Sequence, residues 1–122
     1  MRRYRLSATA ERELGEILAR TELQFGATAR LRYQALIVAA LGDIAADPDC
    51  RGTRPRPDIG DGVRIYHLRH SRERTRSKRG VVRAPRHFLL YKIKADLIVV
   101  GRILHEAMDL DRHVSAEDSA LW

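Results

Sequence analysis

The sequence predicts an α+β fold: a helical hairpin packed on an antiparallel sheet, in the order β-α-α-β-β-β. Three observations predict it. Apolar residues recur at helical spacing up to Asp47, the period becomes that of strands beyond Gly62, and glycine and proline cluster in between. With 122 residues and 44% hydrophobic content, the chain suits a single domain, 1–122, with one modest core. The helices are expected to cover one sheet face, because an isolated antiparallel sheet cannot bury enough apolar surface.

Tyr4 and Leu6 alternate with Arg3 and Arg5, the pattern of a short half-buried strand. Ser7 then stands where a helix N-cap belongs, although Ala10 in place of Glu leaves the capping box incomplete. Ala10, Leu14, Ile17, Leu18, Thr21 and Phe25 form one stripe of a helix over about residues 8–24, which Gly26 ends. Thr28 can cap a second helix over 28–47, with Tyr33, Leu36, Ile37, Ala40, Leu41 and Ile44 on its apolar face. Asp47-Pro48 closes it, since the residue before proline is biased away from helix. Tyr33, Phe25 and Phe88 read as core residues.

Pro48 to Gly62 is a loop. Strand signals follow at Val63–His70, His87–Ile93 and Leu97–His105. The last is β-branched and almost continuously apolar, the mark of a central strand. Lys94-Ala95-Asp96 is a short hairpin connection without an Asn-Gly signal. Strict alternation puts Arg64, Tyr66 and Leu68 on one face of their strand and Val63, Ile65 and His67 on the other. It puts Arg102 with Ile98, Val100 and Leu104, and His105 with Val99, Gly101 and Ile103. Arg102 and His105 should therefore point opposite ways.

Lys and Arg number 23 against 16 Asp and Glu, a formal net charge of +7, and the only lysines are Lys78, Lys92 and Lys94. Guanidinium pairs bidentately with carboxylate or phosphate, so an acidic protein segment and a nucleic acid are both open as partners. The segment Ser71–Arg86 holds seven cations against Glu73 alone, a local balance of +6. With almost no apolar content before Val81-Val82, it reads as a basic loop insertion, mobile over Ser71–Gly80. Its bland reading is a solvated loop; the alternative is an electrostatic arm. No aromatic interleaves it, so base stacking there is not expected. The tail 111–122 is polar, with a short turn at Asp111–His113 and an apolar end at Leu121-Trp122. Cys50 is the only cysteine, so no internal disulfide is available, in keeping with a reducing cytosol. No signal peptide follows Met1, and apolar runs such as Ala35 to Leu41 are too short to span a bilayer. The chain is expected in the cytoplasm, away from membranes.

The element order and three local signatures resemble the ParE branch of the RelE/ParE toxins. The first is Tyr4-Arg5-Leu6-Ser7 running into Ala10-Glu11-Arg12-Glu13-Leu14-Gly15-Glu16-Ile17. The second is Phe25-Gly26 followed by a helix containing Ala, Arg and Tyr. The third is Arg102-Ile103-Leu104-His105-Glu106-Ala107-Met108-Asp109-Leu110, similar to the strand end, Leu-His and Met-Asp of ParE proteins. The likeness covers about residues 3 to 113, and the basic insertion departs from compact relatives. It implies the toxin of a type II toxin–antitoxin module, inhibiting DNA gyrase by binding and neutralised by a ParD-like antitoxin. RelE relatives instead cut mRNA on the ribosome, which is the alternative.

Cleavage of RNA through its 2′-hydroxyl needs a base, a cation on the phosphate and a proton donor. Arg64, Arg69, Tyr91, Lys92, Arg102 and His105 are the raw materials. However, Glu106 to Leu110 lacks the tyrosine and basic pair that RelE-like nucleases carry after the last strand. Inhibition by protein binding is therefore the favoured reading, with no catalytic residue assigned. Arg64, Arg69, Arg102, His105, Met108 and Leu110 are the expected antitoxin- or target-binding residues. His105 also has a bland reading, as a strand-end histidine bonded to backbone. Met108 beside Leu110 would be an apolar anchor beyond the sheet, or core. The five histidines (His67, His70, His87, His105 and His113) show no metal-ligand spacing, so neither a metal nor a cofactor is expected. A plain RNA-binding module is the third class, weakened by the absence of a visible stacking platform.

Overall fold

The computed structural model describes residues 2–77, 80–108 and 122. It begins with β1 (Arg3–Leu6), α1 (Ala8–Phe25) and α2 (Ala27–Ala46), as the periodicity requires. Ser7 caps α1 by accepting from the Ala10 amide at 3.0 Å, and its hydroxyl donates to the Gly101 carbonyl at 2.7 Å. One buried side chain thus starts the helix and fixes it to the sheet. Gly26, at φ 94°, is the last cap of α1 and the first of α2, so α2 begins at Ala27 without a side-chain cap from Thr28. Phe25 ends α1 at the hairpin tip and is 73% exposed, not core. Tyr33, Leu36, Ile37, Ala40, Leu41 and Ile44 of α2 are buried as expected.

The chain continues through β2 (Arg54–Pro55), β3 (Arg64–His67), a 3₁₀ helix (Leu68–Thr75), β4 (His87–Lys94) and β5 (Leu97–His105). The sheet order is β1-β5-β4-β3-β2. β1 runs parallel to β5, so the sheet is mixed and not wholly antiparallel. A first strand that pairs with the last is free to run parallel, because the whole intervening chain makes the crossover. The two-residue β2 adds an edge inside the Pro48–Gly62 loop.

β4 and β5 pair from Lys94↔Leu97 to His87↔His105, with an extra β5 residue, Gly101, between Tyr91↔Val100 and Leu90↔Arg102. This bulge reverses the alternation. Ile98, Val100 and Ile103 join the helix-side core, while Leu104 lies in a second cluster on the other face with Ile59, Val63, Phe88 and Leu90. Arg102 therefore shares a side with Leu104 but not with Ile98 and Val100.

β3 stops at His67, short of the expected His70, because the chain turns into the 3₁₀ helix. That helix also corrects the mobile-loop expectation over Ser71–Thr75. Leu68 and Ser71 are fully buried. Tyr66 Oη donates to Ser71 Oγ at 2.8 Å, Ser71 Oγ donates to Asp43 Oδ2 at 2.6 Å, and Arg74 Nε lies 2.9 Å from Asp43 Oδ1. Polar anchors to α2 replace the apolar ones that the composition lacks. Lys78, Arg79, Leu110 and the Asp111–His113 turn lie outside the described residues. Among those described, no helix is long and apolar enough to cross a membrane.

Candidate functional site: a basic cleft beside the helical hairpin

A cleft of about 1570 Å³ opens between α1, the start of α2, the end of β5 and the segment after the 3₁₀ helix. Ile17, Ile103, Val81 and Val82 supply apolar wall, and Arg20, Arg76, Arg83 and Arg86 supply cations. Phe25 and Met108, 73% and 42% exposed, add apolar contacts at the opening. Arg76 and Arg86 are partly neutralised, by Glu73 at 3.1 Å and Glu106 at 3.4 Å. In the wall, Arg72 Nη1 donates to the Arg83 carbonyl at 2.7 Å. Arg72 Nε is buried with no hydrogen-bond partner among the described residues, and a Glu73 carboxylate oxygen lies 3.8 Å away.

Tyr33, His87 and His105 meet in the cleft. The Tyr33 oxygen accepts from the Arg86 amide at 3.1 Å and shares a 2.6 Å hydrogen bond with His87 Nδ1. Burial pushes the Tyr33 phenol above its ordinary pKa. It pushes His87 down to about 4, with the neighbouring His105 acting in the same direction. His87 is thus neutral near pH 7. The His105 ring stands edge-on to it, centroids 5.2 Å apart. His105 Nδ1 accepts from the Ala107 amide at 3.0 Å, which leaves Nε2 as the protonated nitrogen of the neutral ring.

His67 follows the same rule nearby. Its Nδ1 accepts from the Arg69 amide at 3.1 Å, and its Nε2 donates to Glu106 at 2.7 Å. That bond, followed by Arg86, holds Glu106 below the usual carboxylate range. Each of these imidazoles has its Nδ1 held in a hydrogen bond. With the arginines, the cleft offers N–H donors and positive charge, a chemistry that holds anions and apolar side chains.

Of the six residues expected at the site, the five that are described are not brought together. His105 and Met108 line the cleft. Arg102 is turned away from it and clamps Glu13 of α1 at 2.9–3.1 Å, both side chains being about 15% exposed or less. Glu13 also accepts from the Ile103 amide at 3.1 Å, so Arg102 positions the strand end that carries His105. Arg64 pairs with Asp49 at 3.0 Å on β3, and Arg69 is exposed at the start of the 3₁₀ helix. Sequence reasoning left Tyr33 in the core, gave no role to His87 or Arg20, and placed Arg83 and Arg86 only within the basic loop. One signal was available: His87 and His105 close the same hairpin ladder, counted outward from the Ala95-Asp96 turn with the bulge residue allowed for.

A family model, the ParE toxin of the type II toxin–antitoxin system parDE, matches residues 4–110. The chain belongs to the ParE toxin family. The matched span contains every residue that lines the cleft, so the cleft is part of the ParE domain and not of the tail. No curated protein matches the sequence. As a ParE-family toxin, the chain has an antitoxin as its partner.

Proposed function

We propose that this ParE-family toxin inhibits DNA gyrase by binding it, without turnover, through the cleft face around His105 and Met108 and onward to Leu110. In the cytoplasm, a ParD-like antitoxin neutralises it. An extended acidic and apolar segment of that antitoxin fills the cleft, with carboxylates on Arg20, Arg83 and Arg86 and apolar anchors beside Val81, Val82 and Met108. Where the segment runs on past the 3₁₀ helix, Arg69 and Arg64 receive further carboxylates. Arg102 contributes indirectly, by holding the end of β5.

The observation that carries this reading is the state of the imidazoles. RNA cleavage needs a base to take the 2′-hydroxyl proton. His105 lines the cleft with Nδ1 already accepting from the Ala107 amide, and the His87 Nδ1 is tied up in the short hydrogen bond to Tyr33. The same groups are good ligands for carboxylate oxygens. The test adds the purified chain to a gyrase supercoiling reaction and, separately, to translating ribosomes. Loss of supercoiling with intact mRNA is expected. Cleavage of translated mRNA with normal supercoiling would select the endoribonuclease.

A further inference from the structure

The sheet face turned away from the helices carries its own pattern. Strand register puts Arg3, Leu97 and Lys94 in one cross-strand row and Arg5, Val99 and Lys92 in the next. Ile93 and Ile98, between these rows, face the helix-side core. Each row on the far face thus reads cation, apolar, cation. Two residues along a strand span about 6.7 Å, and strands two apart lie about 9.6 Å apart, so these cations mark a rectangle of about 7 by 10 Å. None of them pairs with an Asp or Glu side chain among the described residues, unlike Arg76 and Arg86 in the cleft. Asp96, in the turn beyond Lys94, is the nearest carboxylate in sequence.

Trp122, the only tryptophan, sits on this rectangle. Lys92 Nζ lies 5.0 Å from its ring centroid, and its main-chain terminal oxygen accepts from Arg5 at 3.2 Å and from Lys94. It also packs against the second apolar cluster. We propose that this face binds single-stranded nucleic acid, with Arg3, Arg5, Lys92 and Lys94 on the phosphates and an unpaired base on the Trp122 ring. The Trp122 oxygen serves only two of the four cations, whereas a strand brings a phosphate to each, so the backbone displaces it. Base–aromatic stacking tolerates any sequence, and a duplex would hide the base faces.

Other anionic partners fit less well. Val63, Phe88, Leu90 and Leu104 on this face are at most 6% exposed, so among the described residues only the Trp122 ring and the partly buried Leu97 and Ile65 offer apolar surface to a lipid or a protein groove. Leu23, Phe25, Leu31 and Val38, which are exposed, belong to the helices. The inference goes beyond the gyrase reading and does not depend on it.

The test uses the full chain and a fluorescently labelled oligothymidylate, titrated by anisotropy over a range of KCl while the emission of Trp122 is followed. Binding with a log K against log salt slope near about −2.8 is expected, at about 0.7 per contact on a single strand, together with quenching of Trp122. Reversing two cations (Arg5→Glu with Lys94→Glu) should weaken binding at least about tenfold and reduce the slope by about 1.4. A charge-matched control, Arg12→Glu with Arg51→Glu, should leave the slope unchanged. Circular dichroism accompanies each variant, and Arg5→Gln with Lys94→Gln replaces the reversal if it does not fold. Equal losses in the control, binding without change in Trp122 emission, or binding to phosphatidylserine vesicles but not to the oligonucleotide would each overturn the proposal.

Discussion

His87 owes its depressed pKa of about 4 first to burial, then to His105. The unfolded chain takes up this proton near the ordinary value of about 6.5, so it is protonated first as pH falls. The stability linked to His87 is therefore complete above about pH 6.5 and lost progressively toward pH 4. The difference amounts to at most ~3 kcal/mol, less whatever the partial exposure of the ring screens. Urea unfolding at pH 7 and pH 5 should show the drop, and His87→Gln should flatten it. Arg102 predicts a different outcome. Its removal leaves Glu13 nearly buried without its guanidinium partner, so Arg102→Ala should lower stability by about 3 kcal/mol or more in denaturant unfolding. Any loss of toxicity in that variant then follows loss of fold. His105 and Met108 were legible in the sequence because each ends or follows a clear strand pattern. The side of the sheet taken by Arg102 relative to Ile98 was not, because one bulge residue at Gly101 inverts an alternation that counting assumes to be unbroken.

The helical hairpin was readable to within a few residues, since α2 buries apolar side chains at regular helical spacing and that spacing needs no partner to be recognised. The parallel pairing of β1 with β5 was not readable, because alternation in Tyr4 and Leu6 shows a strand but not its neighbour. The 3₁₀ helix escaped for a physical reason too. It is anchored by Tyr66, Ser71, Asp43 and Arg74, and hydrogen bonds among side chains distant in sequence leave no periodic trace. Ser71→Ala should leave Asp43 and Tyr66 short of a buried partner, costing about 1–3 kcal/mol. Tryptic cleavage at Arg72 and Arg74 should then accelerate roughly tenfold or more, since each 1.4 kcal/mol of local opening is about a factor of ten. Unchanged cleavage would mean that the polar anchors do not hold this helix.

Across the whole molecule, with a net charge of +7, cations gather on two surfaces with different chemistry. One is the cleft, where arginines are interleaved with glutamates, apolar walls and histidines. The other is the far sheet face, where cations stand in rows. An acidic antitoxin segment should be steered to the cleft, so its association rate in stopped-flow should fall with added salt while its dissociation rate changes little. The central claim is that the toxin acts by binding through the cleft face. The most direct measurement is the half-inhibitory concentration of wild type, His105→Ala and Met108→Ala in a gyrase supercoiling assay, each variant paired with its unfolding midpoint. Inhibition by the wild type, about tenfold weaker in each variant (about 1.4 kcal/mol of binding) with the midpoint unchanged, is the predicted result. Supercoiling untouched by the wild type, with cleavage of translated mRNA that His105→Ala abolishes, would contradict it.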